Sequence, residues 1–493
     1  MQYGYGVGVH GTAARARYPP LLRILCRQIF TAVLLSENLS AGLYKDSKII
    51  YYDTIKHTAP PVGRTGGFPR AEERMILMKR VVALLLIAAL CLFGLTACAV
   101  DEAPVVAESL PQRELASEPE SEPEPEPEPE PLPPPYDPEY LTGLPQGEDY
   151  DTNRRVTAVM INNIAQSRPQ RGTAQADILF EIKVEGGITR FMGLFSDYSG
   201  IEGDVGPVRS GRDQFLRLAI PFDAQYMHIG RSGITQTYID QNEYNDRDVD
   251  GQIYNFIYRD SSRSAMGYAY EHTAFTTAEL LQEVFDSRDD VSMEHTYSGT
   301  CFDFNNYNEE GGGILPLSGD DVEDALEISV THSYSYRTYF DYDETTGEYA
   351  MSQWSSSRGC RHETVDENTG EQLEFENVFI LFADIYPYYY PGGNLDANGN
   401  DKGDPDYQCV DMDYGCVGYY FSNGQMKPIR WFKGATTDML RLTDMDENSL
   451  KVNCGKSYIA FVDLDEYENF SYSAGEMEEE VIEQTDDVGE IGD

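Results

Sequence analysis

The pattern of apolar and polar residues predicts a series of strands in the first half of the folded chain. Residues 156–161 form an apolar, β-branched run, which indicates a buried central strand. Residues 180–185 and 190–195 alternate apolar and polar side chains on either side of residues 186–187, both glycine. This spacing predicts a hairpin, with a helix over residues 180–185 as the alternative. Residues 224–229 predict a further strand.

Two segments of the same region have the spacing of helices. In residues 212–220 the apolar side chains recur on one face. Residues 277–285 form the second segment, and either Thr276 or Thr277 can cap the start of this helix. Because strands and helices interleave here, we predict that residues 139–295 form an α/β domain.

The second half of the folded chain has the pattern of strands almost throughout. From Ile328 onward, β-branched and aromatic residues alternate with polar ones, and Asn423-Gly424 separates two such segments as a hairpin turn would. We predict that residues 324–468 form a mainly β domain, joined to the first by a loop-rich bridge over residues 296–323. Residues 469–493 are acidic and are predicted to form a solvated tail.

The region before these domains contains an export signal. After Met78, a charged pair is followed by an apolar run over residues 81–92, which is too short for an ordinary membrane span. Residues 95–98, Leu-Thr-Ala-Cys, resemble a bacterial lipobox, in which the cysteine becomes the lipid-carrying N-terminus. We expect residues 78–97 to be a signal peptide and Cys98 to be lipidated; a plain signal peptide with an incidental cysteine is the alternative.

The segments on both sides of this signal lack the pattern of a folded domain. Residues 1–77 are predicted to be a spurious or disordered leader, and a cytoplasmic extension with the apolar run as its anchor is the alternative. Residues 98–138 are rich in Glu and Pro, with Glu-Pro repeats over residues 118–131. Proline favours polyproline II and like charges repel each other, so we predict an extended tether.

The charge of the chain restricts its partners. With 37 Lys and Arg against 84 Asp and Glu, the formal net charge is −47. This charge argues against a nucleic-acid partner, since binding to a phosphate backbone requires a basic face. Such a charge suits a protein outside the cytoplasm. Outside the cytoplasm, the odd number of cysteines after the tether allows two disulfides and one thiol. The sequence does not show which cysteines would pair. These cysteines are Cys301, Cys360, Cys409, Cys416 and Cys454.

Arginines next to glycines are the candidate binding residues of this acidic chain. Guanidinium groups bind carboxylates or phosphates with two hydrogen bonds, and glycine lets the backbone approach a ligand closely. We therefore predict a pocket for an anion, with internal ion pairs to Glu181, Glu185 or Asp213 as the alternative. The predicted ligand-binding residues are Arg190, Arg209, Arg212, Arg231, Arg259, Arg263 and His272.

The evidence for catalysis in the sequence is weaker. Glu181, Glu185 and His228 could act as acid–base groups on a cell-wall glycan or peptide. However, the chain contains no G-x-S-x-G, P-loop, G-x-G-x-x-G or H-E-x-x-H motif. An enzyme is therefore the second hypothesis, and a purely structural envelope scaffold is the third.

One loop has the spacing of a calcium site. Asp396, Asn398, Asn400 and Asp404 offer oxygen ligands at suitable intervals, but the usual glycine and glutamate positions of such a loop hold other residues. A polar surface loop is the preferred interpretation, calcium is the alternative, and no other cofactor is predicted.

Several long segments together resemble one family. The segments VMINN, EGGITRF, GPVRSGR, MHIGRS and YRDSSR, and more weakly GYYFSNGQ in the second half, are similar to those of the YerB-like lipoproteins. The resemblance implies two consecutive domains of unknown function in a membrane-anchored extracytoplasmic bacterial protein, and it implies no reaction. Where the family has Pro-His-Asn, this chain has residues 270–273, Tyr-Glu-His-Thr, so the resemblance does not support a shared role for His272.

Together these features predict a lipid-anchored protein on the outer face of the cell membrane. We expect its arginines to bind an anionic cell-wall component or an envelope protein, and Cys98 to attach it to the membrane.

Overall fold

The structure is a computed structural model that describes residues 135–475 except 149, 289, 291, 310, 356–358, 388–406 and 414. The predicted leader, signal peptide, Cys98 and nearly all of the tether and the acidic tail lie outside the described residues. The same holds for the calcium candidates Asp396, Asn398, Asn400 and Asp404. Within the described residues the protein is mainly β with few helices.

Short helices interrupt the strands of the N-terminal part. Within the described residues the α-helices are α1 (Asp213–Ala219), α2 (Gly233–Gln241), α3 (Ser261–Ala265) and α4 (Ala278–Asp286). The predicted helices are α1 and α4, and the Thr277 hydroxyl caps α4 by accepting a hydrogen bond from the Leu280 amide. The sequence did not indicate α2, because this helix buries only Thr235 and Ile239 and has no apolar stripe.

Strands make up most of the remaining regular structure. The N-terminal part contains β1 (Thr157–Asn162), β2 (Ile178–Lys183), β3 (Thr189–Phe195), β4 (Asp204–Val205), β5 (Gln225–His228), β6 (Asp248–Asp250), β7 (Tyr258–Arg259) and β8 (Ala274–Thr277). The C-terminal part contains β9 (Asp303–Phe304), β10 (Glu323–Asp324), β11 (Glu327–Ser333), β12 (Tyr336–Asp343), β13 (Glu348–Ser355), β14 (Cys360–Glu363), β15 (Glu374–Phe375), β16 (Asn377–Ala383), β17 (Ile385–Pro387), β18 (Gln408–Val410), β19 (Cys416–Ser422), β20 (Gln425–Phe432), β21 (Arg441–Thr443), β22 (Lys451–Val452), β23 (Ser457–Asp463) and β24 (Ser471–Ser473). The prediction of a β-rich C-terminal part is confirmed.

One eleven-stranded sheet contains strands from both halves of the chain. Its order is β10-β20-β19-β16-β23-β2-β3-β1-β5-β6, with β21 beside β20. Strand β23 lies parallel between β2 and β16, so that Tyr458 is opposite both Leu179 and Val378. The two halves therefore share their central sheet, and the pairing of such distant segments leaves no local signal in the sequence.

Both faces of this sheet are buried. Alternate residues of β1 point to opposite sides, with Ala158 and Met160 in one apolar cluster and Val159 and Ile161 in the other. Helices α1 and α2 cover the first face. The second face is covered by α4 and by a second sheet of order β14-β13-β12-β11-β24, in which β15 pairs with β13. This burial explains the nearly continuous apolar runs of the central strands.

The carboxyl ends of parallel strands place several predicted site residues together. Strands β1, β5 and β6 are parallel neighbours, so Asn162, His228 and Asp250 end their strands at one edge of the sheet. Strand β3 is antiparallel to β1 and starts at the same edge, where Arg190 is opposite Asn162. Ligand sites of open α/β sheets are usually found at this edge.

The cysteines of the described residues form no disulfide bond. These cysteines are Cys301, Cys360, Cys409, Cys416 and Cys454. Cys301 and Cys454 are buried in different surroundings, since their thiols donate to Leu141 O and to Asn305 O. The two disulfides that the sequence allowed are therefore absent from this part of the chain.

Candidate functional site

Four of the predicted arginines lie close together at the carboxyl edge of β1 and β5. Arg190, Arg209, Arg212 and Arg259 form this arginine group. Burial lowers the pKa of Arg190 to about 9, and the neighbouring charges of Arg212 and Arg209 contribute to the decrease. Burial also lowers the pKa of Arg209, with further contributions from Arg212 and Arg259. The four side chains therefore share one region of positive potential.

Arg190 is the buried member of the arginine group. Its side chain is 5% exposed, and its Nη1 donates to Ser210 O at 2.8 Å. The nearest carboxylate oxygen, Glu185 Oε2, lies 3.7 Å from Nη2. The buried Nε has no hydrogen-bond partner among the described residues. Arg190 is therefore incompletely paired in a place where unpaired polar groups are costly.

Arg209 is held by its backbone and not by its side chain. Its amide donates to Met160 O at 2.9 Å, and the Ile229 amide donates to Arg209 O at 3.1 Å, which fixes the segment between the ends of β1 and β5. The side chain is half-buried. Among the described residues, no hydrogen bond or ion pair engages its guanidinium; Glu271 and Glu185 act on it only at longer range.

Glu185 is the carboxylate at the centre of the arginine group. Arg212 Nε donates to its Oε1 at 2.5 Å. Burial would raise the pKa of Glu185, but the charges of Arg212 and Arg190 lower it below the ordinary value. This pairing was one of the predicted alternatives. Asp213 instead pairs with Arg217.

The second carboxylate belongs to a short turn that contacts Arg259. Arg259 Nη1 donates to Tyr270 O at 2.7 Å, and the guanidinium carbon lies 3.8 Å from the centre of the Tyr270 ring. The next residue, Glu271, is exposed, and a hydrogen bond with the backbone of Glu271 lowers its pKa, with the charges of Arg209 and Arg259 acting in the same direction. Among the described residues, the four guanidinium groups thus have the carboxylates of Glu185 and Glu271 as neighbours.

His272 lies beside this group in its neutral form. Its Nδ1 accepts a hydrogen bond from the Asn162 side-chain amide at 3.0 Å, which places the ring proton on Nε2. Burial lowers the pKa of His272, and the charges of Arg209 and Arg263 act in the same direction. At neutral pH, His272 is therefore a hydrogen-bond donor without charge.

Two other predicted arginines have carboxylate partners of their own. Arg231 Nη1 lies 3.0 Å from Asp248 Oδ2 and 2.8 Å from Asp250 Oδ2. Arg263 is fully buried, pairs with Glu367 at 2.5 Å and donates to backbone carbonyls. Their contacts are those of structural residues.

The candidate acid–base residues His228 and Glu181 are engaged in hydrogen bonds within the protein. Both ring nitrogens of His228 are engaged by oxygens of the protein, Asp248 Oδ1 at 2.8 Å and Gly230 O at 2.9 Å, so neither nitrogen is open to a substrate. Glu181 is fully buried, and within the described residues its hydrogen-bond donors are uncharged groups and not arginines. These donors are Asn163, Thr189, Thr338 and Tyr458, at 2.6 to 3.0 Å.

Sequence reasoning missed two residues that shape this region. Asn162 orients His272, and its place at the end of a predicted strand was an available signal. The centre of the Tyr407 ring lies 5.8 Å from the Arg212 guanidinium carbon, and the Tyr407 hydroxyl donates to Asp213 Oδ1 at 2.5 Å. Tyr407 belongs to the second half of the chain, so no local pattern could place it here.

A cavity of about 370 Å³ lies at the opposite edge of the sheet. Its lining includes Glu139, Glu148, Asp177 and Asp197. Burial raises the pKa of Glu139 and that of Asp177. With this acidic lining the cavity is unsuitable for an anion.

Neither a metal site nor a membrane-spanning helix occurs in the part of the chain that the structure describes. No group of three or more His, Cys, Asp or Glu residues there could hold a metal ion. No helix there is long and apolar enough to cross a bilayer.

Comparison with known proteins gives one consistent relationship. The family description "Protein of unknown function (DUF3048) N-terminal domain" matches residues 141–292, and the corresponding C-terminal domain matches residues 328–459. A curated relative from Bacillus subtilis (strain 168), named "Putative lipoprotein YerB", is 27% identical over 297 residues, covering 59% of this chain and 76% of the relative.

A solved structure agrees with this relationship at the level of the fold. The crystal structure of the YerB protein from Bacillus subtilis matches with a TM-score of 0.51 at 23% identity, over 68% of this chain and 99% of that chain. The chain belongs to the YerB-like family, whose folded part consists of two consecutive domains of unknown function.

Proposed function

We propose that this protein is a lipid-anchored, extracytoplasmic binding module that holds an anionic component of the cell envelope at its arginine group. The anchor would be Cys98, and the tether over residues 98–138 would separate the folded part from the membrane. The name of the Bacillus relative as a lipoprotein supports this location. The lipobox-like residues 95–98 and the chain's strongly negative charge support it as well.

The observation that carries the binding proposal is the guanidinium of Arg209. It has no hydrogen bond or ion pair among the described residues, although the chain has more than twice as many acidic as basic residues. A half-buried cation in such a protein would ordinarily find a carboxylate, as Arg231 does. An external anion at Arg209 would supply the missing partner with charge-assisted hydrogen bonds.

No specific observation favours the enzymatic or the scaffold alternative over binding. The candidate bases His228 and Glu181 are held by internal hydrogen bonds, and Glu185 is paired with Arg212. We therefore do not propose a reaction for this site.

Cell-wall fragments from Bacillus subtilis provide the test of binding. We expect Arg209→Ala to reduce co-sedimentation of the purified protein with the fragments at least fivefold. Arg441→Gln is the matched control. It removes the same charge from an exposed position on β21, which lies beside β20. Strand β20 is five strand spacings, or roughly 24 Å, from β3. Equal co-sedimentation of the parent and Arg209→Ala would reject the arginine group as the binding site.

The membrane anchor needs a separate test. In a bacterial host, the protein should fractionate with membranes and incorporate labelled fatty acid. Cys98→Ser should abolish the labelling and release the folded part from the membrane. Labelling that persists in Cys98→Ser would contradict this assignment.

A further inference from the structure

The arginine group has a charge imbalance that restricts the class of ligand. Within the residues that the structure describes, its four guanidinium groups have two neighbouring carboxylates, those of Glu185 and Glu271. His272 is neutral at pH 7 and adds no charge. The arginine group therefore has an excess of positive charge, and a ligand that carries two negative charges on one group would offset more of it than a monoanion would.

The unused hydrogen-bond donors indicate the shape of that ligand. Arg209 presents a whole guanidinium, and His272 carries its proton on Nε2. Arg209 and His272 belong to separate segments of the chain and are near enough for the charge of Arg209 to lower the pKa of His272. A carboxylate has two oxygens in one plane, whereas a terminal phosphate has three acceptor oxygens arranged around phosphorus.

We propose that the arginine group recognises a terminal phosphate monoester, and this inference rests on the proposed function of the same site. A monoester carries a charge of about −1.5 to −2 at pH 7, with a second pKa near 6. A phosphodiester or a carboxylate carries one charge and leaves part of the positive potential uncompensated. A soluble phosphate monoester and a lipid headgroup that ends in a monoester both fit this description, because both present the same three oxygens.

Competing anions separate this ligand class from general anion binding. Calorimetric titration of the purified protein at pH 7.5 would compare glycerol 3-phosphate with dimethyl phosphate and acetate. We expect glycerol 3-phosphate to bind at least tenfold more tightly than either, Arg209→Ala to lose at least tenfold in affinity, and Arg441→Gln to bind as the parent does. Arg209→Lys, which keeps a charge but loses the planar fork, should bind with intermediate affinity.

The pH dependence provides a second readout that does not depend on titration of the protein. Sulfate remains a dianion between pH 7.5 and 5.5, whereas the dianionic fraction of a monoester falls about fourfold over this range. The ratio of the affinities for glycerol 3-phosphate and sulfate should therefore fall about fourfold at pH 5.5. A constant ratio would overturn the requirement for a dianion.

Lipid vesicles distinguish the two sources of the phosphate. Vesicles that contain phosphatidic acid present a monoester, and those that contain phosphatidylglycerol present a diester. Preference for the monoester in solution, on vesicles or in both supports the inference. Equal affinity for all the anions would overturn the ligand class but leave the proposed function standing. Absence of binding to any of them, together with unchanged co-sedimentation of Arg209→Ala with wall fragments, would reject both.

Discussion

Two arginines of the N-terminal part, Arg171 and Arg209, have similar surroundings of glycine-containing loops but opposite pairing. Arg171 pairs with three carboxylates, Asp204 at 2.7 Å, Asp260 at 2.9 Å and Glu367 at 2.6 Å. Burial would lower its pKa, but these carboxylates raise it above the ordinary value. Arg209 has no such partner, and its pKa is lowered. The chain therefore neutralises the arginine that joins its two halves and leaves the one at the sheet edge open to a ligand.

The largest expected effect concerns the fully paired arginine. Arg171→Met should destabilise the protein by about 3–5 kcal/mol, because it leaves the partly buried carboxylates of Asp204 and Asp260 without their cation, whereas Glu367 keeps its ion pair with Arg263. Urea denaturation of the parent and the variant measures this difference. A loss below about 1 kcal/mol would mean that Arg171 does not hold the two halves together. Arg171 could then not be distinguished from Arg209 by its contribution to stability.

A pH effect of intermediate size should come from His332. This residue is fully buried, 3.6 Å from Glu181, and burial lowers its pKa. Below about pH 6.5 the unfolded chain takes up this proton more readily than the folded one, so stability should fall as the pH decreases, by up to about 1.4 kcal/mol per pH unit for this group.

His332→Gln is the variant that isolates this contribution. Its stability should fall less steeply than that of the parent between pH 6.5 and 5, with a residual slope from His272 and His295, whose pKa values are also lowered by burial. Denaturation series at several pH values test this expectation, and parallel profiles for the two proteins would contradict it.

A smaller effect on stability is expected from the buried member of the arginine group. Arg190→Met removes a charge that burial and like-charged neighbours disfavour, so its stability should stay within about 1 kcal/mol of the parent or rise. The same variant should lose anion binding. A strongly destabilised Arg190→Met would show that the arginine group is a structural feature, as the Arg171 ion pairs are.

The smallest effect on stability belongs to Arg209. Because its guanidinium forms no hydrogen bond or ion pair among the described residues, Arg209→Ala should change the free energy of unfolding by less than about 0.5 kcal/mol. Thermal and urea unfolding measure this change. Loss of binding at nearly constant stability is the combination that separates Arg209 from Arg171.

The sequence predicted local structure better than long-range arrangement. The apolar run at β1, the hairpin of β2 and β3, and the cap of α4 have local patterns, and the structure contains them. The parallel pairing of β23 with β2 depends on segments that are far apart along the chain. No period or turn residue records such a pairing, so the shared sheet could not be predicted.

For the candidate site, too, the sequence indicated the local features but not the long-range contacts. The abundance of arginine beside glycine identified the region, but it could not separate Arg209 from Arg231, since both follow a strand in a glycine-containing segment. What distinguishes them is the presence of Asp248 and Asp250 beside Arg231. That difference arises from the neighbouring strand β6, which the sequence did not indicate.

A crystal structure of the protein in complex with glycerol 3-phosphate tests the central claim most directly. The account predicts a phosphate bound at the guanidinium of Arg209, with His272 Nε2 facing one of its oxygens. A phosphate bound elsewhere, or an arginine group in which Arg209 instead pairs with a carboxylate of its own chain, would contradict it.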